Sequence, residues 1–372
     1  MSNSINRRSW LRQSALAFVG MHIAPAILSR DLHNSKSDST DNIILLNSNE
    51  NAYGPSPLAR KAILESYLNS NRYPDDYVPL LKKKLAAHWN VSVENILLGA
   101  GASEIIGLIC QLAAKEKGHI ITTEPSYKVW NAQASSFGLS FKRSAFPKKN
   151  DASVASLFGP VSSDTRMIYI CNPNNPTGTV LDTKEVQAYA LQVPKQTLVV
   201  IDEAYAEYAQ LETLAPIAVT SPNVIVTKTF SKIYGLAGAR VGYAIANPAL
   251  IKALSAFQPW PDSNVSMVSV NAAMASLDDN AFVNDCREKV NKGKQICYST
   301  FDTLGSEYIP SSTNFILFNI DKIKKNLTYE MSLRNIEVQF REHFGGKWCR
   351  VSIGTIEEMQ TFTGALKEIA AN

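Results

Sequence analysis

The sequence predicts an α/β protein: a mostly parallel sheet with helices on both faces, followed by a smaller α+β domain. Two observations predict it. From Ile43 to about Pro261, short runs rich in β-branched residues alternate with longer amphipathic stretches. Strand alternating with helix implies a largely parallel sheet covered on both sides. After Pro261 the alternation stops, and two long helical stretches precede three short apolar runs and a last helix. At 372 residues the chain is long enough for both domains and a substantial core.

The first residues stand apart. Arg7 and Arg8 precede an apolar stretch from Ala15 to Ile23, and Ala24, Pro25 and Ala26 place small residues in the A-x-A order of a cleavage site. Residues 1–30 are therefore read as a twin-arginine-type signal, exporting the protein to the periplasm or beyond; a plain basic tail on a cytoplasmic protein is the alternative. Residues 31–72 form a linker rich in Ser, Asp and Asn and then an N-terminal arm. Residues 73–260 form the large domain, with strands at 95–99, 119–123, 166–172, 197–202, 223–228 and 241–246 and helices that include 103–114 and 183–192. Residues 261–372 form the small domain, with strands at 314–319, 336–340 and 349–353 and a final helix from about Thr355.

Composition removes several classes of function. The formal charge of +4 is concentrated in Arg7, Arg8 and Arg12, so the rest of the chain is close to neutral and offers no basic stripe for nucleic acid. No apolar run reaches the length of a membrane span. Five cysteines and five histidines are scattered without disulfide or metal-ligand spacing, so no metal is expected.

In open parallel sheets, ligands bind at the carboxyl ends of strands, and the distinctive residues here follow predicted strands. Lys232 lies just past the strand at 223–228, in the run TKTFSKIYGLAGARVGY. Thr229, Ser231 and Arg240 supply two hydroxyls and a guanidinium suited to a phosphate. Lys232 supplies an amine able to condense with a carbonyl. A lysine in such a loop is otherwise a solvated charge; the combination favours chemistry.

Asp202 ends the strand at 197–202, where a carboxylate is often just a helix cap. The alternative role is to pair with a protonated pyridine nitrogen and make that ring a better electron sink. Tyr205 then reaches the ring's phenolic oxygen, as does the amide of Asn175, set in the stiff turn NPNNP. Ala102 and Ser103 open a helix whose first N–H groups can receive a phosphate. The preceding GAGAS half-matches a dinucleotide fingerprint, but Glu104 stands where its third glycine belongs. Tyr127, after the strand at 119–123, is either core or a flat ring stacked on the pyridine.

Taken together, NENAYGPSP, RYPD, GAGASE, EPSY, CNPNNPTG, IDEAYAEY, TFSKIYGLAGARVGY and CRVSIGT resemble the class I/II, fold-type-I aminotransferases, and among them the histidinol-phosphate aminotransferases. The resemblance runs through residues 43–370 in the family's order. It implies pyridoxal 5'-phosphate as cofactor, Lys232 as its lysine and proton-shift base, and Asp202 and Tyr205 as its partners in catalysis. Ala102, Ser103, Tyr127, Asn175, Thr229, Ser231 and Arg240 hold the cofactor on the same reading. Tyr73, in RYPD, matches a tyrosine that reaches the partner subunit's cofactor, which implies a homodimer. Tyr53, Asn175, Arg341 and Arg350 are implied to bind substrate. In the family a second substrate arginine directly follows a small-domain strand; here Gln339 stands near that place and Arg341 slightly later.

The implied reaction moves an amino group between an amino acid or amino-alcohol phosphate and a 2-oxo acid. A decarboxylase on the same scaffold is the nearest alternative, to be separated by keto-acid-dependent amine exchange. A non-catalytic regulator would carry an added DNA-binding domain, for which this chain has no room. A nicotinamide dehydrogenase rests on the broken glycine pattern alone.

Overall fold

The β-branched runs of the first two-thirds assemble into one seven-stranded sheet in the computed structural model, which describes residues 43–148, 152–262 and 264–371. The twin-arginine leader and the linker up to residue 42 lie outside the described residues. In chain order the strands are β1 (Ile44–Leu45), β2 (Ile96–Gly99), β3 (His119–Glu124), β4 (Ser140–Ala145), β5 (Thr165–Cys171), β6 (Leu198–Asp202), β7 (Val224–Thr229) and β8 (Gly242–Ile245). The large sheet runs β2-β8-β7-β6-β5-β3-β4. Strands β3 to β7 are mutually parallel, and β8 is antiparallel to both neighbours, β7 and β2. Every residue of β7 is buried, as is nearly all of β5 and β6, as expected for parallel strands covered on both faces. The α/β expectation is met.

Strand β4 has no counterpart in the sequence reading. It is an edge strand of exposed and half-buried residues with none buried, and it carries the exposed Lys142 and Arg143. Charge on an edge discourages further pairing, but it also erases the apolar signal by which a strand is recognised.

The C-terminal third follows the change of pattern. Helices Met267–Asp278 and Asn280–Leu304 come first, then β9 (Tyr308–Ile309), β10 (Phe315–Asn319), β11 (Ile336–Glu337), β12 (Gln339–His343), β13 (Gly346–Ser352) and helix Ile356–Ala371. A four-stranded antiparallel sheet runs β12-β13-β10-β9. The single run expected at 336–340 divides at the buried Val338. Its first half, β11, pairs in parallel with β1, so the N-terminal arm is held by the far end of the chain. Its second half, β12, joins the antiparallel sheet beside β13.

Two features of the large sheet position the site. Strands β5, β6 and β7 end side by side, so Asn172 to Asn175, Asp202 and Thr229 emerge at one edge. Gly101, at φ +83°, begins helix Ala102–Ala113 at a place where a Cβ would run into the Arg240 guanidinium. Only glycine meets both demands, the backbone conformation and the close approach.

Candidate active site

A cavity of about 510 Å³ opens at that strand edge. Ala102, Ser103, Tyr127, Asn175, Asp202, Tyr205, Thr229, Ser231, Lys232, Arg240, Arg341 and Arg350 all line it. Of the positions singled out from sequence, only Tyr53 and Tyr73 do not line it. The Tyr53 main-chain N–H donates to Asn51 Oδ1 at 3.1 Å, and the Asn51 amide is taken up by the Ile233 carbonyl at 2.7 Å. This turn leaves the Tyr53 ring 4.7 Å from Lys289 Nζ, with its hydroxyl buried and unpartnered. Tyr73 is 71% exposed and rests against Trp260, ring centres 5.0 Å apart.

The end of β7 and the loop after it carry two lysines four residues apart, and their surroundings separate their roles. Lys228 is fully buried and bonded to Glu207 at 2.9 Å and Glu203 at 3.1 Å. Burial opposes its charge, but the two carboxylates more than offset that and hold it protonated. Lys232 instead donates to the main-chain carbonyls of Asn49, at 3.2 Å, and Ser48, at 3.4 Å. Burial first, and then the positive charge of Arg350, lower its pKa to about 8. Of these two lysines, Lys232 is the one that presents a usable amine near neutral pH.

Around this amine the polar groups fall into three sets. In the first, the Tyr205 hydroxyl accepts from Asn49 Nδ2 at 3.1 Å and Asn175 Nδ2 at 3.4 Å. In the second, buried Asp202 accepts from the Tyr169 hydroxyl at 2.6 Å and the Ala204 N–H at 3.1 Å. Burial pushes the Asp202 carboxyl up, and these bonds pull it back toward the ionised form. In the third, Arg240 donates to the carbonyls of Ala237, at 3.1 Å, and Ala100, at 3.3 Å, which leave its charge unneutralised. Thr229 donates to Ser231 at 2.9 Å, and the first-turn N–H groups of Ala102–Ala113 receive no side-chain cap from Gly101. A cation, two hydroxyls and uncapped helix N–H groups converge there, which is the donor set a phosphate requires.

The opposite wall comes from β12 and β13. Arg350, nearly buried, donates to Asn175 Oδ1 and to the Asn47 carbonyl, each at 2.8 Å, while its Nε has no partner. Burial lowers its pKa to about 10. Gln339 stands opposite Arg350 in the strand register, and Gln339, Arg341 and His343 follow the two-residue period of a strand into the cavity. Gln339 Oε1 and His343 Nε2 are buried without partners.

Sequence reading missed Asn49, Asn47 and Tyr169. Asn49, at φ 55°, is fixed by Ser352, which accepts its N–H at 2.7 Å and donates to its Oδ1 at 3.1 Å. Its place in NENAYGPSP was the one available signal; Tyr169 in mid-strand gave none.

The family Aminotransferase class I and II matches residues 41–366. The chain belongs to the class I and II aminotransferases. It is 36% identical over 336 residues to a histidinol-phosphate aminotransferase from Moorella thermoacetica, covering 88% of this chain and 86% of that protein. It is 34% identical over 334 residues to the histidinol-phosphate aminotransferase of Bacillus subtilis strain 168, covering 88% and 92% respectively. The crystal structure of histidinol-phosphate aminotransferase from Sinorhizobium meliloti in complex with pyridoxal-5'-phosphate superposes with a TM-score of 0.78 at 28% identity, covering 88% of this chain and 91% of that one. In this aminotransferase no helix among the described residues is long and apolar enough to cross a membrane.

Proposed function

We propose that this chain binds pyridoxal phosphate at Lys232 and moves an amino group from an anionic donor, an amino acid or an amino-alcohol phosphate, to a 2-oxo acid. The observation that carries this reading is the partly neutral Lys232 amine in one cavity with Asp202, Tyr205 and Arg350. The donor groups described above fit the cofactor's phosphate, ring nitrogen and ring oxygen. Bound there, pyridoxal phosphate supplies a carbonyl that condenses with amines and a ring that takes up the electron pair of a broken C–H bond.

Arg240, Thr229, Ser231 and Ser103, with the first-turn N–H groups at Ala102, grip the phosphate. Asp202 would keep a proton on the ring nitrogen, Tyr205 and Asn175 would hold the ring oxygen, and Tyr127 would pack against the ring. Lys232 would hold the cofactor through its amine and, when that amine is free, would act as the base for the proton on the donor's α-carbon. Arg350 fixes the donor's anionic group, and Arg341 attracts a second one. Histidinol phosphate, named for the relatives, heads the donors to be tried. The decarboxylase alternative is not favoured, since the relatives at about one-third identity are aminotransferases.

Two further parts of the proposal concern assembly and address. A homodimer sharing Tyr73 across its interface is supported by the exposed Leu58, Leu64, Tyr67, Leu68, Tyr73 and Trp260. Export by the twin-arginine route is supported by Arg7 and Arg8 ahead of the apolar stretch. Replacing both arginines with lysine should leave the chain unprocessed in the cytoplasm; identical fractionation of both forms would rule export out.

The central test is borohydride reduction of the holoenzyme followed by peptide mapping. The label should fall on Lys232; label on Lys228 or any other lysine would overturn the reading. Amine exchange that depends on added 2-oxo acid then separates aminotransferase from decarboxylase.

A further inference from the structure

Asp202 is a nearly buried carboxyl at the wall of the cavity. Its carboxylate accepts from the Tyr169 hydroxyl at Oδ2 and from the Ala204 N–H at Oδ1. A carboxylate offers about four acceptor positions. Two are filled from the protein side, one on each oxygen, and Asp202 lines the cavity, so acceptor capacity is left for a donor arriving there. Tyr169 does not line the cavity. It sits on β5, wholly buried, its ring packed on Trp130 with centres 4.7 Å apart.

We propose that Tyr169 is a positioning residue for the amino transfer: its hydroxyl fixes Oδ2 of Asp202 and so aims the free carboxylate lone pair at the cofactor's ring nitrogen. This rests on the cofactor reading above. The bond at 2.6 Å is in the short range of charge-assisted contacts between a hydroxyl and an anion. Burial is the largest influence raising the Asp202 pKa, and the Tyr169 bond is the largest one opposing it. Burial, followed by the charge of Asp202, holds the Tyr169 phenol well above its ordinary value, so it stays a donor throughout the working range. Other groups bear on the pair. Glu203 opposes the Asp202 charge, Cys171 and Tyr127 flank Tyr169, and Lys232 faces Asp202 across the cavity.

The sign of the effect follows. Without the phenol, the Asp202 pKa rises further, so the carboxylate is lost at a higher pH than in the unmodified enzyme. Tyr169→Phe keeps the ring and its packing and removes only the hydroxyl. In the holoenzyme, kcat should fall about tenfold or more, the worth of one hydrogen bond to a charged group, while the donor's KM stays within about twofold. The acid limb of kcat should move up by about one pH unit. The visible spectrum of the bound cofactor should titrate with the same upward displacement, a readout independent of turnover. Trp130→Phe, which disturbs the same packing without touching Asp202, should leave limb and spectrum in place.

If Tyr169→Phe does not fold, a fluorinated tyrosine at 169 keeps the ring and makes the phenol a stronger donor; the limb should then move down. An unmoved limb and spectrum in either variant, or an equal displacement in Trp130→Phe, would overturn the proposal. Failure of the cofactor reading looks different, because the unmodified protein would then show no visible cofactor absorbance at all.

Discussion

Arg350 Nη1 donates to Oδ1 of Asn175 at 2.8 Å, and the nitrogen of the same amide lies 3.4 Å from the Tyr205 hydroxyl. One side chain therefore joins the arginine proposed to grip the donor to the tyrosine proposed to hold the cofactor ring. Arg350→Lys keeps the charge but loses the planar fork. We expect kcat/KM for the donor to fall about 10- to 100-fold, the range for losing a charge-assisted contact. Most of the loss should lie in KM, and steady-state kinetics with several donors will show whether it does.

Lys232 gives a pH dependence whose sign is fixed. Its pKa is lowered to about 8, and the neutral form is the nucleophile. Capture of added pyridoxal phosphate by cofactor-free protein should accelerate as pH rises through about 8 and then level off. Arg350→Met removes a positive neighbour, so the inflection should move to higher pH. Stopped-flow absorbance measures both; an inflection that ignores Arg350 would contradict the assigned cause.

Asp202→Asn and Arg240→Ala should fail in different ways. The amide cannot serve as an anionic partner for a protonated ring nitrogen, so Asp202→Asn should slow the chemical step by more than about 100-fold with cofactor still bound. Arg240→Ala removes a cation facing the phosphate, so the cofactor Kd should rise about 10- to 100-fold. Equilibrium dialysis beside single-turnover kinetics separates the two, and the reverse pattern would exchange the roles.

Gln339 faces Arg350 across two paired strands with an unpartnered carbonyl oxygen. Gln339→Arg would place a second guanidinium on this wall. For an amino-alcohol phosphate, KM should fall about tenfold, while an amino acid with a neutral side chain should gain nothing. A donor panel that responds uniformly would show that this wall does not read the donor's second charge.

Tyr73→Phe and Lys232→Ala proteins should each lose activity alone, and mixing them should restore part of it through hybrid dimers with one intact site. An active monomer on sizing would end the shared-site proposal.

The large sheet was legible in the sequence because β2, β3, β5, β6, β7 and β8 are short buried apolar runs bounded by turns, with β-branched residues concentrated in β3, β5, β6 and β7. Strand β4 was not, since an exposed edge carries no apolar face. Lys232, Asp202, Arg240 and Asn175 were legible because each follows a strand or a stiff turn in a motif of recognisable spacing. Asn49 and Tyr169 were not. Asn49 acquires its role from partners about 150 and 300 residues away, and Tyr169 is locally indistinguishable from any other aromatic in a buried strand. Long-range partners of this kind leave no local period in the chain.

The pairing of β1 with β11, and of Asn49 with Ser352, also sets a schedule for the protein's birth. The carbonyls that receive Lys232 come from residues 48 and 49, near the start of the chain, and the group that fixes Asn49 comes from residue 352, near its end. A chain still on the ribosome, or one cut short before Ser352, cannot complete the pocket, however well its large sheet has formed. Closure of so long a loop is slow compared with local folding. On the proposed cofactor reading, a chain truncated before Ser352 should therefore take up pyridoxal phosphate more weakly than the full chain.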